Sequence, residues 1–323
     1  MKVGVDILDL SVIIVDYNSS ALTIKSIESV LKNSGDCKLE IIIIDNSPYK
    51  TIQLLELSKR NQLIKYYHSS NNLGYGRANN IGINKSKGEF ILIINPDIKI
   101  IYGELNDLVN FARKINNLGA LSCKLINSDG TFQESRSFNL GSVYSRLKSN
   151  IIFSKLIKNK KWFLPNNNKI GALMGSFLLF PKDVIIKTGD FDPDFFMYSE
   201  ENELCMRIAK NNFELYYYEE MTVSHLNGGT ITDNKWQFNQ KILSDFLFQK
   251  KSFGLRGYLL HNLFFLTNIF SNYFFYYFLT TEMKQYTKSS FVAYFTQFKL
   301  IIKISFKSNN LNYCTIQPLK SKL

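Results

Sequence analysis

The chain has 323 residues, is 45% hydrophobic and 20% charged, and carries a formal net charge of +12. That length allows one large domain or two ordinary ones, and the composition excludes disordered, collagenous and small disulfide-stapled classes. Cys37, Cys123, Cys205 and Cys314 are scattered without metal-ligand or paired spacing, which fits a reduced cytosolic chain.

The first ten residues contain Lys2, Asp6 and Asp9 and lack an apolar signal core, so a chain that stays in the cytoplasm is expected. An apolar run at 11–15 predicts a strand, and Ser20 a cap for a helix with Ile24, Ile27, Val30 and Leu31 at helical spacing. Further strands are predicted at 41–44, 64–68 and 90–94, with helices at 51–60 and 77–85 between them. Strands alternating with helices imply parallel pairing and a doubly wound α/β sheet. Farther on, segments 120–127 and 131–138 flank Ser128-Asp129-Gly130 as a hairpin. A polar loop follows at 150–168, an apolar segment at 171–180, and a helix starting near Ser199.

Each early strand ends in oxygen-rich residues: Asp16 and Asn18, Asp45 to Ser47, Asn72 and Gly74, Asn95 and Asp97. In an open α/β sheet these positions form the rim where ligands bind. Four such ends in succession point to a polar, nucleotide-sized site more than to ordinary turn chemistry. The turn after the first strand has no glycine, Gly74-Tyr75-Gly76 is misplaced, and no phosphate-loop motif occurs, which argues against dinucleotide and P-loop enzymes.

Five blocks occur in order: Val12-Ile13-Ile14-Val15-Asp16-Tyr17-Asn18, Ile43-Ile44-Asp45-Asn46-Ser47, Asn72-Leu73-Gly74-Tyr75-Gly76-Arg77-Ala78-Asn79-Asn80, Ile94-Asn95-Pro96-Asp97 and Phe195-Phe196-Met197-Tyr198-Ser199-Glu200-Glu201-Asn202-Glu203-Leu204-Cys205. A looser sixth, Val223-Ser224-His225-Leu226-Asn227-Gly228-Gly229-Thr230, follows. In these blocks the sequence resembles the family 2 glycosyltransferases of GT-A fold, especially rhamnosyltransferase-like members. The resemblance implies a Rossmann-like, mostly parallel GT-A domain over 1–235. A nucleotide-sugar half would lie at about 10–100 and an acceptor half at about 101–235. It also implies inverting transfer of a sugar from a nucleotide diphosphate to an acceptor hydroxyl.

That chemistry needs charge stabilisation on the leaving diphosphate, a base for the hydroxyl, and alignment of both substrates. By resemblance Asp97 is a ligand of a divalent cation (Mg²⁺ or Mn²⁺), although Asn95 replaces the first carboxylate of the usual triplet. His225 matches a late metal-site histidine. Glu201 takes the place of the general base, one methylene longer than the usual aspartate. Asp45 is expected to accept from a pyrimidine N–H, with Asn72 beside the base and ribose and with Asp16, Asn18, Gly74 and Asn95 on the same rim. Arg77 either reaches the diphosphate or is a solvated first-turn residue. Asp192 faces the donor sugar or the acceptor. Trp162 and Trp236 are candidates for sugar stacking, with a core role favoured.

From Lys235 onward 12 Lys and Arg face only Asp245 and Glu282, so +10 of the +12 lies in this tail. The membrane-length stretch 258–280 is interrupted by His261, Asn262, Asn268, Ser271 and Asn272. A helical extension over 236–323 lying on a membrane surface fits better than a span; packing on the core is the alternative. These features lead to the expectation of a peripheral enzyme on the inner face of the cytoplasmic membrane. It would move L-rhamnose from dTDP-rhamnose to a lipid-linked saccharide in surface polysaccharide (O-antigen-type) synthesis. An inactive nucleotide-sugar binder is the first alternative, and a basic protein that binds single-stranded nucleic acid the second. Against the second, the near-neutral rim has no use in single-strand binding, so nucleic acid is not an expected partner.

Overall fold

Long β-branched runs without polar interruption suit strands covered on both faces. Strands β1 (Leu10–Asp16) and β2 (Leu39–Asp45) are buried at every position. β3 (Ile64–His68) is mostly half-exposed, and β4 (Phe90–Ile94) is again fully buried. Helices α1 (Ser20–Lys32), α2 (Ile52–Arg60) and α3 (Tyr75–Lys85) connect them. The four strands pair in the order β3-β2-β1-β4, all parallel. The computed structural model describes residues 8–137, 170–226, 234–274 and 281–306. Trp162, Cys314, the 150–168 loop, Gly228-Gly229 and the end of the 258–280 stretch lie outside these.

The next elements are β5 (Ile98–Tyr102), α4 (Leu105–Arg113), β6 (Leu118–Ile126), β7 (Phe132–Gln133), β8 (Arg136–Ser137), β9 (Ala172–Leu173), β10 (Phe177–Pro181), α5 (Lys182–Thr188), α6 (Glu200–Lys210) and β11 (Glu214–His225). Among the described residues the main sheet continues β4-β10-β6-β11-β5. β10 enters antiparallel to both β4 and β6, so the sheet is parallel in its first half and mixed beyond. The hairpin forms at the expected turn, where Thr131 N–H and hydroxyl both donate to Asp129. Its second strand is shorter than the 131–138 reading, however. After Gln133 the chain leaves the sheet, and Arg136–Ser137 pair with Ala172–Leu173 in a separate two-stranded ribbon. The apolar segment 171–180 likewise breaks into β9 and β10.

The described residues up to Ser137, Ile170–Asp192 and 204–226 form one compact unit; Pro193–Glu203 and the residues from 234 on form a second. In the second unit, α7 (Asn234–Phe274) is broken at Gly254 (φ 68°) and is followed by α8 (Thr281–Thr296) and α9 (Phe298–Phe306). Phe246 centres its core, with ring contacts to Tyr258, His261, Phe265 and Tyr294 at 4.6–6.0 Å. Tyr258 donates to Ile301 O at 2.6 Å, tying α7 to α9. Two of the polar residues that interrupt the stretch, His261 and Asn272, are buried, whereas Leu259, Leu260, Leu263, Phe270 and Phe274 are exposed. No described helix is long and apolar enough to cross a membrane.

In the first unit, Gly88 shows why sequence fixes this packing. Its N–H donates to Ser11 Oγ at 2.8 Å, and Ser11 Oγ donates to the buried Glu40. A Cβ at position 88 would stand 2.5 Å from Ser11 N and 2.6 Å from Leu10 C, backbone atoms that cannot rotate away. Gly88→Ala is expected to lower stability by about 1–3 kcal/mol, the usual cost of overpacking. Urea unfolding with an unchanged slope checks this, and a loss below about 0.5 kcal/mol would contradict it.

Candidate active site

Parallel pairing of β1 and β2 makes Asp16 and Asp45 register partners at the rim. Neither has exposed surface. Asp16 accepts from Ser19 Oγ at 3.0 Å, from Ser47 Oγ at 3.4 Å and from the Thr23 hydroxyl. Burial pushes its carboxyl up, and the hydroxyl bonds only partly offset that. The residue therefore fastens the start of α1 to the rim. Ser19, not Ser20, occupies the cap position, and its hydroxyl donates to Asp16, while Ser20 donates to Gln53. Asn18 is exposed in a left-handed conformation (φ 51°), and its N–H donates to Ser47 Oγ at 2.9 Å.

Asp45 accepts from Ser47 N at 3.0 Å, Thr51 N at 2.8 Å and the Tyr66 hydroxyl. Burial pushes the carboxyl up, but the bonds from Tyr66, Thr51 and Ser47 outweigh it and hold it below the usual carboxylate range. The expected direct bond to a pyrimidine edge thus meets a carboxylate without accessible surface. In this structure Asp45 orients the 46–51 loop.

Asn46 bridges inward: its Nδ2 donates to Asn72 Oδ1 at 2.9 Å and to Gly74 O at 3.2 Å, and its Oδ1 accepts from Leu73 N. Asn72 also accepts from Gly74 N at 3.0 Å. Gly74 has φ 80°, the left-handed region that favours glycine, and it opens α3. Arg77 is half-buried in the first turn of α3. One turn on, Asn80 exchanges two bonds with the Phe191 backbone, 2.7 and 3.0 Å, and so places the half-buried Asp192.

A second cluster lies past β4. Asp97 and His225 are both buried, with Asp97 Oδ1 3.5 Å from His225 Nε2. Asn95 Nδ2 lies 3.3 Å from the same Nε2, and the Gln133 amide lies against Nδ1, its oxygen at 3.2 Å and its nitrogen at 3.1 Å. Asn95 donating to Nε2 and Gln133 Oε1 accepting from Nδ1–H form one consistent arrangement, in which a cation at Nε2 would displace the Asn95 contact. Burial pushes the Asp97 carboxyl up against the His225 charge that would lower it; burial likewise pushes the His225 ring down, favouring neutral imidazole. A neutral Nε2 lone pair facing a carboxylate oxygen is a donor set suited to a divalent cation, so these two residues fit the ligand role expected of them. Among the described residues no group of three or more His, Cys, Asp or Glu converges.

Glu200 and Glu201 lie in the second unit. They follow two non-glycine residues in left-handed conformation, Tyr198 (φ 70°) and Ser199 (φ 65°). Such backbone costs about 1–3 kcal/mol per residue and gathers at functional sites. Burial pushes the half-exposed Glu201 carboxyl up. Glu200 is buried with Oε2 unpartnered, and burial and then the Glu201 charge push it well up. Trp236 packs edge-on against Phe196 at 6.2 Å in this unit.

Gln133 and Tyr66 escape sequence reading, and Asn46 enters it only as one of the oxygen-rich strand-end residues. Gln133 faces inward beside the exposed Phe132, an alternation that only the structure reveals. Nothing local marks Asn46 or Tyr66 as tethers of the rim.

The family model for glycosyl transferase family 2 matches residues 11–188. The chain belongs to this family; Glu201 and His225 lie beyond the matched segment. It is 24% identical over 242 residues to a low-salt glycan biosynthesis hexosyltransferase, Agl10, of Haloferax volcanii, covering 74% of this chain and 73% of that one. It is 22% identical to the rhamnosyltransferase WbbL of Escherichia coli, covering 76% and 96%. An uncharacterized glycosyltransferase of Rickettsia bellii is 30% identical over 56% of this chain, which spans only 25% of that protein's length. Among solved structures, a Pyrobaculum calidifontis mannosyltransferase with GDP-Man and Mn²⁺ aligns at TM-score 0.53 and 13% identity, covering 90% and 75%. GalNAc-T7 with UDP, GalNAc and Mn²⁺ aligns at 0.52 and 16%, covering 78% and 51%. These likenesses show the fold, that of GT-A glycosyltransferases.

The raised carboxyls give a stability test. An acid whose folded pKa lies above its unfolded one loses stability as pH rises from the ordinary carboxylate range through the raised value. Glu200→Gln removes that loss. The variant is expected to match the wild type near pH 4 and to exceed it at alkaline pH by about 1–3 kcal/mol, the cost of an unsatisfied buried group. Chemical unfolding at both pH values checks this; an equal gap at the two would contradict it.

Proposed function

We propose that this family 2 glycosyltransferase is an inverting, metal-assisted enzyme that transfers L-rhamnose or a related sugar from a dTDP donor to a lipid-linked saccharide. It would work in surface polysaccharide synthesis at the inner face of the cytoplasmic membrane. The observation that carries the reading is the buried Asp97–His225 pair, its ring fixed by Gln133, beyond the oxygen-rich strand ends of a family 2 fold. The Mn²⁺ in the two structural relatives, with their nucleotide or nucleotide sugar, supports the cation. The rhamnosyltransferase relative supports the sugar.

Asp97 and His225 would hold a divalent cation, which when bound stabilises the negative charge developing on the leaving diphosphate. With Gln133 accepting the proton on Nδ1, the ring would offer Nε2 to the cation in place of the Asn95 contact and stay a ligand at neutral pH. The exposed Asn18 and the half-buried Asn72, Arg77 and Asp192 supply polar groups for the base, ribose, diphosphate and sugar. Asp16 and Asp45, without surface of their own, hold the loops that carry those groups. Glu201 takes the proton of the attacking hydroxyl on Oε1 or Oε2 while the oxygen attacks the anomeric carbon from the side opposite the diphosphate. Its raised carboxyl brings proton affinity closer to the working range of a general base. The exposed leucines and phenylalanines of α7, beside a tail of +10, support attachment to an anionic membrane surface.

A second reading, nucleotide-sugar binding without transfer, is favoured by one observation: Asn95 stands where a carboxylate would complete a stronger cation site. Release of dTDP from dTDP-rhamnose separates the two. The enzyme reading predicts metal-dependent release that falls about 10²–10⁴-fold in Glu201→Gln while donor affinity stays within about threefold. Absence of turnover in the wild type would favour the binder, and a preference for GDP-sugars would contradict the donor assignment.

A further inference from the structure

Residues 194–198, which lead into the helix bearing Glu201, are held by the first half of α7, ahead of its break at Gly254. The Lys251 ammonium pairs with the Asp194 carboxylate, whose side chain is only 8% exposed. Trp236 packs edge-on against Phe196 at 6.2 Å. Ser244 Oγ accepts from Gln240 Nε2 at 3.1 Å and donates to Met197 O at 2.6 Å. Lys241 Nζ lies 5.0 Å over the Tyr198 ring. Lys241, Ser244 and Lys251, spaced by three and seven residues, share one helix face, so the segment runs antiparallel along α7. All these residues belong to the second unit, as does Glu201. The matched family segment ends at residue 188, so α7 supplies this support from outside it.

The next two residues are the strained ones. Tyr198 (φ 70°) and Ser199 (φ 65°) are left-handed without being glycine, and such backbone persists only where its surroundings over-determine it. On their far side Glu203 N donates to Ser199 O at 3.0 Å as α6 begins. Their near side is fixed by the contacts with α7. Released there, Tyr198 and Ser199 relax toward ordinary dihedrals, and the first turn of α6 moves with Glu201 on it. A displacement of about 1 Å at a reacting group is enough to cost about 10²-fold in rate.

We propose that Lys251 and Ser244 of α7 are positioning residues for the general base, clamping residues 194–198 so that Glu201 is presented in its half-buried place. The inference rests on the base role given to Glu201 in the proposed function. Both residues act through the segment and not on the substrate. Loss of the Lys251 ammonium leaves the Asp194 carboxylate buried with less compensation, so the segment moves toward water. Glu201 then gains solvent, and its carboxyl, raised by burial, falls.

Release of dTDP from dTDP-rhamnose by the full chain, measured across pH, tests this. Lys251→Met is expected to lower kcat about 10–10²-fold with donor KM within about threefold, and to move the acid limb of the kcat profile to lower pH. Ser244→Ala is expected to change both in the same direction by less. Lys251→Arg, which keeps the ion pair, and Lys299→Met, which removes an exposed charge on α9, stay within about threefold of the wild type. In Lys251→Met and Ser244→Ala the backbone amides of 195–199 exchange with deuterium about tenfold faster or more, while those of β2 are unchanged. Unchanged kcat, a fall in kcat with an unmoved acid limb, or unchanged exchange overturns the positioning role. Exchange needs no turnover, so a wild type that releases no dTDP while both variants exchange faster overturns the base assignment and not the clamp.

Discussion

Asp97 and His225 are buried within 3.5 Å of each other, and neither can hold its ordinary charge without cost. Burial favours the protonated carboxyl and the neutral ring, so the environment works against the ion pair that the two would form in water. Asn95 and Gln133 lie against the two ring nitrogens and set the Nε2 edge toward the carboxylate. A pair built this way is poorly stabilised by its own charges. The proposed chemistry would use a cation to relieve that, with Nε2 exchanging its Asn95 contact for the metal.

The rest of the rim is organised by carboxylates and amides that are themselves inaccessible. Asp16 holds the turn into α1, Asp45 holds the loop into α2, and Asn46 holds the loop into α3 through Asn72 and Gly74. Each takes the hydrogen-bonding groups freed where a strand ends and converts them into loop position. In the proposed function the ligand-facing work falls to neighbours with surface, such as Asn18 and Asn72. An acidic residue at a strand end therefore marks the rim reliably and its own function poorly.

Much of the fold was legible because buried parallel strands must be written as apolar runs. β3 and β4 begin and end at the expected residues, and β1 and β2 extend the expected runs by one or two residues at each end. Antiparallel insertion of β10 was not legible, since 171–180 reads as one apolar segment and only pairing with both β4 and β6 splits it. β5, as long as β3 and β4 but alternating into solvent and following β4 after a three-residue turn, passed unnoticed. In the site, motif order brought Asp97 and His225 forward although 128 positions separate them, and the structure places them together. Gln133 was hidden because a lone glutamine near a hairpin carries no chemical signature. Asp45 was legible as a rim residue, but its burial depends on Tyr66 and Thr51 arriving from elsewhere in the chain.

The tail shows the same division between pattern and placement. Its charge and rings were evident, yet which side chains face outward follows only from the Phe246-centred packing that turns His261 and Asn272 inward. The central claim, that Asp97 and His225 hold the cation, has a direct spectroscopic test. Mn²⁺ bound in the presence of dTDP should show electron spin-echo modulation from a directly coordinated imidazole ¹⁴N in the wild type and lose it in His225→Gln. Tightly bound Mn²⁺ without that nitrogen coupling in the wild type would contradict the account.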